Sequence, residues 1–194
     1  VALVRRTIDL PGLIIAMDDD RRGMTLAMEH LHRQHGHTGI GLLARDLVGQ
    51  PPSPRVEAYH AYVRAHGLAD DPALVFDRRA LGEGLGEAIC AQVEAGAMTA
   101  LACADDGSAV RACKALLSAG HAIPRDVSVT GYSNAASVET FHPGITSVDV
   151  PVEAMVSAAC DQMLNRDRSE APARTLLEFQ NTLVERQSCG PAPR

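Results

Sequence analysis

The side chains best suited to chemistry in this 194-residue sequence stand directly after two apolar runs. Residues 100–104 are followed by Asp105 and Asp106, and residues 127–132 are followed by Ser133 and Asn134. A helical stretch separates the two runs, which predicts a strand–helix–strand unit. Ligands of open parallel sheets bind at the carboxyl ends of the strands. These four polar residues are therefore the first candidates for a binding site.

The rest of the sequence supplies the elements that would position these residues. Apolar residues recur at helical spacing in 23–35, 55–66, 84–95 and 108–119, and again after Pro151. Short apolar runs between these stretches predict strands, and alternation of this kind is typical of an α/β fold with a parallel sheet.

The last part of the sequence predicts three further features. Residues 166–172 are polar and predict a linker. Residues 175–179 and 182–186 predict two strands joined as a hairpin through Gln180 and Asn181. The tail from residue 189 onward is expected to fray.

Composition excludes several classes of function. The net charge of −6 argues against a nucleic-acid surface in this chain, because such a surface needs Lys and Arg to neutralise phosphates. No apolar run approaches the roughly 18 residues of a membrane span. The five cysteines lie far apart and form no Cys-x-x-Cys pair, which predicts buried reduced thiols, as at Cys103 and Cys113.

Four histidines, His30, His32, His35 and His37, resemble a metal site in spacing. On an α-helix only His32 and His35 would face each other, and no Cys or carboxylate completes a tetrahedral set. The sequence also lacks a Gly-x-Ser-x-Gly elbow and a phosphate loop. We therefore expect no metal, no cofactor and no catalytic residues.

Six segments, in this order and at this spacing, resemble the effector-binding core of the LacI/GalR family of transcriptional repressors. They are residues 19–23 with 36–37, Arg55 with 58–59, residues 99–106, residues 119–132, residues 143–148 and residues 183–188. The resemblance covers nearly the whole chain, and the segment from Ala119 to Tyr132 is its most specific part.

The resemblance implies a periplasmic-binding-protein-like fold, with two doubly wound parallel-sheet subdomains joined by three strand crossings and ligand in the cleft. Residues 1–18 and 149–179 would be a remnant of the N-terminal subdomain. Residues 19–148 and 180–189 would form the C-terminal subdomain, followed by a tail at 190–194. The DNA-binding helix-turn-helix and part of the N-terminal subdomain would be missing from this chain.

The resemblance also assigns ligand-binding roles. Arg55 matches the family's arginine that holds ligand hydroxyls or carboxylates, with a solvated helix-start arginine as the alternative. Asp19 is favoured over Asp18 as the family's binding aspartate, with a turn or helix cap as the alternative.

Three further places in the chain depart from the family pattern. Asp105 stands where relatives often carry Asn, and we expect it to bind ligand while Asp106 caps the following helix. Ser133 replaces an acidic residue that binds sugar hydroxyls. Arg78 and Arg79 replace an aromatic ring, which indicates an anionic or strongly polar effector, although surface arginines are the simpler explanation.

By the same resemblance, Val110, Lys114 and Phe141 would lie at a homodimer interface, unless Phe141 packs within its own loop. The predicted function is that of a cytoplasmic, non-enzymatic regulator core whose partner is a small polar effector, a carbohydrate or related metabolite. Operator DNA would be contacted only through the missing helix-turn-helix. Two alternatives stay open: a secreted sugar-binding protein of the same fold, and a metal-dependent hydrolase using its aspartate clusters.

Overall fold

A computed structural model describes residues 2–5, 12–47, 52–165 and 175–193. The predicted linker at 166–172 and part of the proline-rich loop before Pro54 lie outside the described residues. The chain divides into two compact units, residues 1–20 with 150–181 and residues 21–149 with 182–194.

Unit 1 contains a parallel sheet with the order β1-β2-β8. Its strands are β1 (Ala2–Val4), β2 (Ile14–Asp18) and β8 (Thr175–Phe179). Helix α7 (Val152–Asn165) packs against β1 and β2. Met155 and Ala159 of α7 are buried there.

Unit 2 contains a larger sheet with the order β4-β3-β5-β6-β7-β9, in which only the β7–β9 pair is antiparallel. Its strands are β3 (Ile40–Ala44), β4 (Val75–Asp77), β5 (Ala100–Cys103), β6 (Ser128–Tyr132), β7 (Thr146–Asp149) and β9 (Thr182–Val184). Its helices are α1 (Asp20–Glu29, reaching one residue into unit 1), α2 (Pro54–Ala65), α3 (Arg78–Leu81), α4 (Leu85–Glu94), α5 (Asp106–Ser118) and α6 (Ala136–Thr140).

Alternate residues of the unit 2 strands face opposite sides of the sheet. Leu43 and Leu101 join a buried core with Ile89 of α4 and Leu116 of α5. On the other face, the Tyr59 hydroxyl of α2 donates to the Ile40 carbonyl at 2.7 Å. A parallel sheet is expected to be covered on both faces, as this one is.

The predicted hairpin of the last two strands is wrong. β8 pairs in parallel with β2, whereas β9 pairs antiparallel with β7 in the other sheet. Gln180 and Asn181 therefore connect two sheets instead of forming a tight turn. A two-residue polar spacer looks the same in sequence in both cases.

The predicted fraying of the tail is also wrong at its start. The Gly190 backbone amide donates to the Ser128 hydroxyl at 3.1 Å, and the Ala192 amide donates to the His35 carbonyl at 2.8 Å. These bonds fix the tail to the amino-terminal edge of the unit 2 sheet.

The first predicted helix differs in its ends and its geometry. The α-helix begins at Asp20 and passes at His30 into one π-helical turn, His30–Gln34. The wider π-turn brings the His30 and His35 rings to a centroid distance of 4.6 Å, while His32 contacts Tyr62 instead. The expected facing pair of His32 and His35 is therefore wrong.

Candidate functional site at the carboxyl edge of the unit 2 sheet

The parallel strands β3 to β7 end at a common edge, and several sequence-predicted residues meet there. Arg55 begins the helix after β3, Asp105 follows β5, and Ser133 follows β6. Because parallel strands place their carboxyl ends on one side, this edge is the expected position of a ligand.

Arg55 is held by a defined helix start. The Ser53 side chain caps α2 by accepting the Val56 amide, and Pro54 occupies the first turn. From this position the Arg55 guanidinium donates to the Ala104 carbonyl at 2.6 Å. Its central carbon lies 3.7 Å from the centroid of the Tyr132 ring. Arg55 is therefore fixed across the ends of β5 and β6, and the alternative of a freely solvated arginine is wrong.

Tyr132 was missed by sequence reasoning. It ends β6, its ring is fully buried, and Arg55 covers one face of it. An aromatic ring attracts a cation over its face, so the ring helps to orient the guanidinium. The signal available in sequence was a tyrosine at a strand end next to polar residues.

Asp105, and not Asp106, caps the start of α5. Asp105 is the N-cap, since its carboxylate accepts the Ser108 amide at 2.8 Å and the Ser108 hydroxyl at 2.7 Å. The prediction that Asp106 is the cap is wrong. The Asp105 side chain is still 34% exposed, so its role toward ligand stays a prediction.

Asp106 is buried, and its carboxylate accepts hydrogen bonds from other groups of the protein. Its carboxylate accepts the Ser147 hydroxyl and the Ala135 amide, each at 2.7 Å. A Cβ added at Gly131 would collide with Oδ1 of Asp106, so this position of β6 needs glycine. Asp106 thereby ties α5 to the turn after β6.

That turn carries two non-glycine residues in the left-handed region, Ser133 with φ 106° and Asn134 with φ 51°. Such conformations cost on the order of 1–3 kcal/mol and persist where surrounding contacts fix them. The Asn134 side chain donates to Asp149 at 2.9 Å and accepts from Arg186 at 2.7 Å, and its amide donates to the Ser147 hydroxyl at 3.1 Å. Asn134 is thus structural, whereas the half-buried Ser133 stays a predicted ligand contact.

Arg78 extends the same edge on the far side of β3. It begins α3, which Asp77 caps by accepting the Arg79 and Ala80 amides. The Arg78 guanidinium donates to Oδ1 of Asp105 at 3.3 Å. Arg78 and Arg55 therefore contact two consecutive residues, Asp105 and Ala104.

Asp19 lies in unit 1 and is exposed. Its backbone amide donates to the Phe179 carbonyl at 3.3 Å, and its carbonyl accepts from Asn181 at 3.0 Å. The neighbouring Asp18 is buried and paired with Arg5 at 2.8 Å. Both aspartates line a cavity of about 320 Å³ in unit 1. Asp18 is thus committed to an ion pair, which leaves the predicted ligand role with Asp19.

His37 has a structural role at the opposite, amino-terminal edge of the unit 2 sheet. His37 is fully buried, with Nδ1 2.9 Å from the Thr99 hydroxyl oxygen and Nε2 3.0 Å from the Gly190 carbonyl, to which it must donate. Burial lowers the pKa of His37 to about 4. Within the described residues, no group of three or more His, Cys, Asp or Glu side chains could hold a metal ion.

The three residues expected at a dimer interface lie on or beside one face of unit 2. Val110 and Phe141 are partly buried and pack against the α4–α5 core, and Lys114 is exposed on α5. Their role in an interface stays a prediction.

Comparison with known proteins agrees with this fold. The family model described as "Periplasmic binding protein-like domain" matches residues 28–189. The chain is 32% identical over 179 residues to the regulator MalR of Streptomyces coelicolor, covering 90% of this chain and 52% of MalR. It is 31% identical over 184 residues to GalR of Escherichia coli, covering 92% of this chain and 53% of GalR.

A solved structure gives the same result. The sugar-binding transcriptional regulator of the LacI family from Escherichia coli, complexed with phosphate, matches with a TM-score of 0.73 and 26% identity. The match covers 94% of this chain and 69% of that one. The chain spans about half the length of the curated relatives named here.

The fold and the matched family model define the class: this is a periplasmic-binding-protein-like domain. Within that class, the chain belongs to the LacI/GalR family of transcriptional regulators. The relatives named here are transcriptional regulators. Across the part of the chain that the structure describes, no helix is long and apolar enough to span a membrane.

Proposed function

We propose that this chain is the part of a cytoplasmic, homodimeric regulator that binds a small polar effector and thereby changes operator binding. In this proposal residues 1–18 and 149–179 belong to an N-terminal subdomain, and a helix-turn-helix outside this sequence contacts DNA. The effector would bind one conformation better than another and shift their populations, with no chemical step.

The observation that carries the proposal is the position of the Arg55 guanidinium. It is fixed between the Ala104 carbonyl and the Tyr132 ring, at the sheet edge where Asp105 and Ser133 also lie. A planar guanidinium held in one orientation suits recognition of ligand hydroxyls, carboxylates or phosphates.

A thermal-shift screen tests the proposal with protein expressed from the complete gene that contains this chain. The panel holds neutral sugars, sugar acids, sugar phosphates, nucleosides and inorganic phosphate. A ligand that raises the melting temperature is then titrated against Arg55→Ala and against Arg64→Ala, a matched control because Arg64 is exposed on the same helix.

We expect Arg55→Ala to lose about 10- to 100-fold in affinity, the range for charged hydrogen bonds. Arg64→Ala should bind like the unaltered protein. Unchanged binding by Arg55→Ala would show that the site lies elsewhere.

A further inference from the structure

Arg78 forms an ion pair with Asp105, the N-cap of α5, at 3.3 Å. Its guanidinium lies over the first turn of α5, so close that a Cβ added at Gly107 would stand 3.3 Å from it. The amino end of a helix carries positive potential, which disfavours a cation there. Asp105 offsets this cost through one hydrogen bond at 3.3 Å.

The Arg78 guanidinium also retains binding capacity. An arginine has five N–H donors. Within the described residues, that one bond to Asp105 is the only side-chain hydrogen bond of Arg78. The side chain is 21% exposed, so it is held in place and still reached by solvent.

Three carboxylates at this sheet edge, Asp46, Asp77 and Asp105, accept from other donors. Asp77 accepts the Leu47, Arg79 and Ala80 amides at 2.8 to 3.0 Å. Asp105 accepts the Ser108 amide and hydroxyl in addition to Arg78. Asp46 pairs with Arg45 and Arg79. Protein donors therefore already stabilise these three carboxylates. They do not need a bound cation for that purpose.

Arg55 brings a second guanidinium to the neighbouring residue, Ala104. Two guanidinium groups and the amino end of α5 thus meet around the β5–α5 connection. Guanidinium groups bind carboxylate and phosphate oxygens in a planar, bidentate manner.

From this arrangement we propose that Arg78 determines specificity and selects an anionic effector, a sugar that carries a carboxylate or phosphate group. The inference rests on the proposed effector-binding function and adds the ligand's chemical class. The anionic group binds at Arg78 and the hydroxyl-bearing ring lies toward Arg55.

Matched ligand pairs test this with protein expressed from the complete gene. Calorimetric titration compares ribose with ribose 5-phosphate, glucose with glucose 6-phosphate, and galactose with galacturonate. In at least one pair we expect the anionic member to bind ten-fold or more tightly than the neutral one. The phosphate and carboxylate pairs distinguish the two sources of charge, and inorganic phosphate alone tests whether the sugar is needed.

Three variants test whether Arg78 causes the preference for the anionic ligand. Arg78→Gln should weaken the anionic ligand about 10- to 100-fold and leave the neutral partner within two-fold. Arg78→Lys keeps the charge without the planar fork, and it should lose less than Arg78→Gln. Arg79→Gln is the control, because the Arg79 side chain is 83% exposed and pairs with Asp46.

The outcomes separate this inference from the function on which it rests. Tight binding of a neutral sugar that depends on Arg55 but not on Arg78 would overturn the anionic specificity and keep the effector-binding function. Equal loss of both members of a pair in Arg78→Gln would also contradict it. A complete panel with no binder would count against both.

Discussion

The Arg55 guanidinium carbon lies 3.7 Å from the centroid of the Tyr132 ring. The two residues are 77 positions apart and come from different elements, the start of α2 and the end of β6. Because Arg55 also donates to the Ala104 carbonyl, the ring and the carbonyl together define one orientation of its guanidinium. The geometry of the candidate site thus depends on the Tyr132 ring, one face of which Arg55 covers.

Replacing Tyr132 should therefore weaken effector binding through Arg55. Tyr132→Leu removes the ring, and we expect about 0.5–2 kcal/mol of lost binding free energy, the range of cation–π interactions. Tyr132→Phe keeps the ring face and should bind within two-fold of the unaltered protein. Calorimetric titration with the ligand identified by screening measures both, and equal affinities for the Leu and Phe variants would contradict a role for the ring.

Asp106→Asn should destabilise unit 2. The carboxylate accepts the Ser147 hydroxyl and the Ala135 amide, whereas an amide side chain presents only one oxygen. Whichever way the amide turns, either the Ser147 hydroxyl or the Ala135 amide loses its acceptor, at a cost of about 1–3 kcal/mol.

Urea unfolding followed by tyrosine fluorescence measures this change. Tyr59, Tyr62 and Tyr132 all lie in unit 2 and the sequence contains no Trp, so the signal reports on that unit. Asp161→Asn, at an exposed site on α7 of unit 1, is the control. An Asp106→Asn midpoint equal to that of the control would show that the buried network contributes little.

His37 should make unit 2 less stable as the pH falls below neutrality. Burial lowers the pKa of His37 in the folded protein to about 4, while an unfolded histidine titrates near 6.5. Between these values the unfolded chain binds a proton that the folded protein does not, so stability falls as pH decreases through this window. After allowance for solvent screening we expect about 1–2 kcal/mol of loss between pH 7 and pH 5.

The His37→Gln variant isolates this effect, because burial also lowers the pKa values of His32 and His35. The variant should be less stable at pH 7 and show a shallower decline toward pH 5. His142→Gln, at an exposed position, should keep the full decline. Parallel stability curves for His37→Gln and the unaltered protein would contradict the assignment.

Much of the fold was predictable because it depends on local patterns. The alternation of helical spacing with short apolar runs predicted the parallel α/β sheet that the structure contains. The polar residues after β5 and β6 were located because strand ends are visible in sequence. The hairpin prediction was wrong because a two-residue polar connection carries no information about which sheet each strand joins.

The candidate site was harder to predict because its contacts are long-range. Tyr132 ends an apolar run and resembles an ordinary core residue in sequence, and its contact with Arg55 exists only in three dimensions. Asp105 and Asp106 are adjacent and chemically identical, so a one-residue shift in the start of α5 decides which carboxylate is the cap. The π-turn at His30 likewise changes which histidines meet.

The effect of a bound effector on DNA binding can be measured directly. Fluorescence anisotropy would measure binding of protein expressed from the complete gene to DNA from its own upstream region, with and without the identified effector. We expect the effector to change the DNA dissociation constant about 5- to 150-fold, the usual size of an allosteric coupling. Arg55→Ala should still bind DNA but lose this response. DNA binding that is unaffected by the effector, or a full response in Arg55→Ala, would contradict control of DNA binding by an effector bound at Arg55.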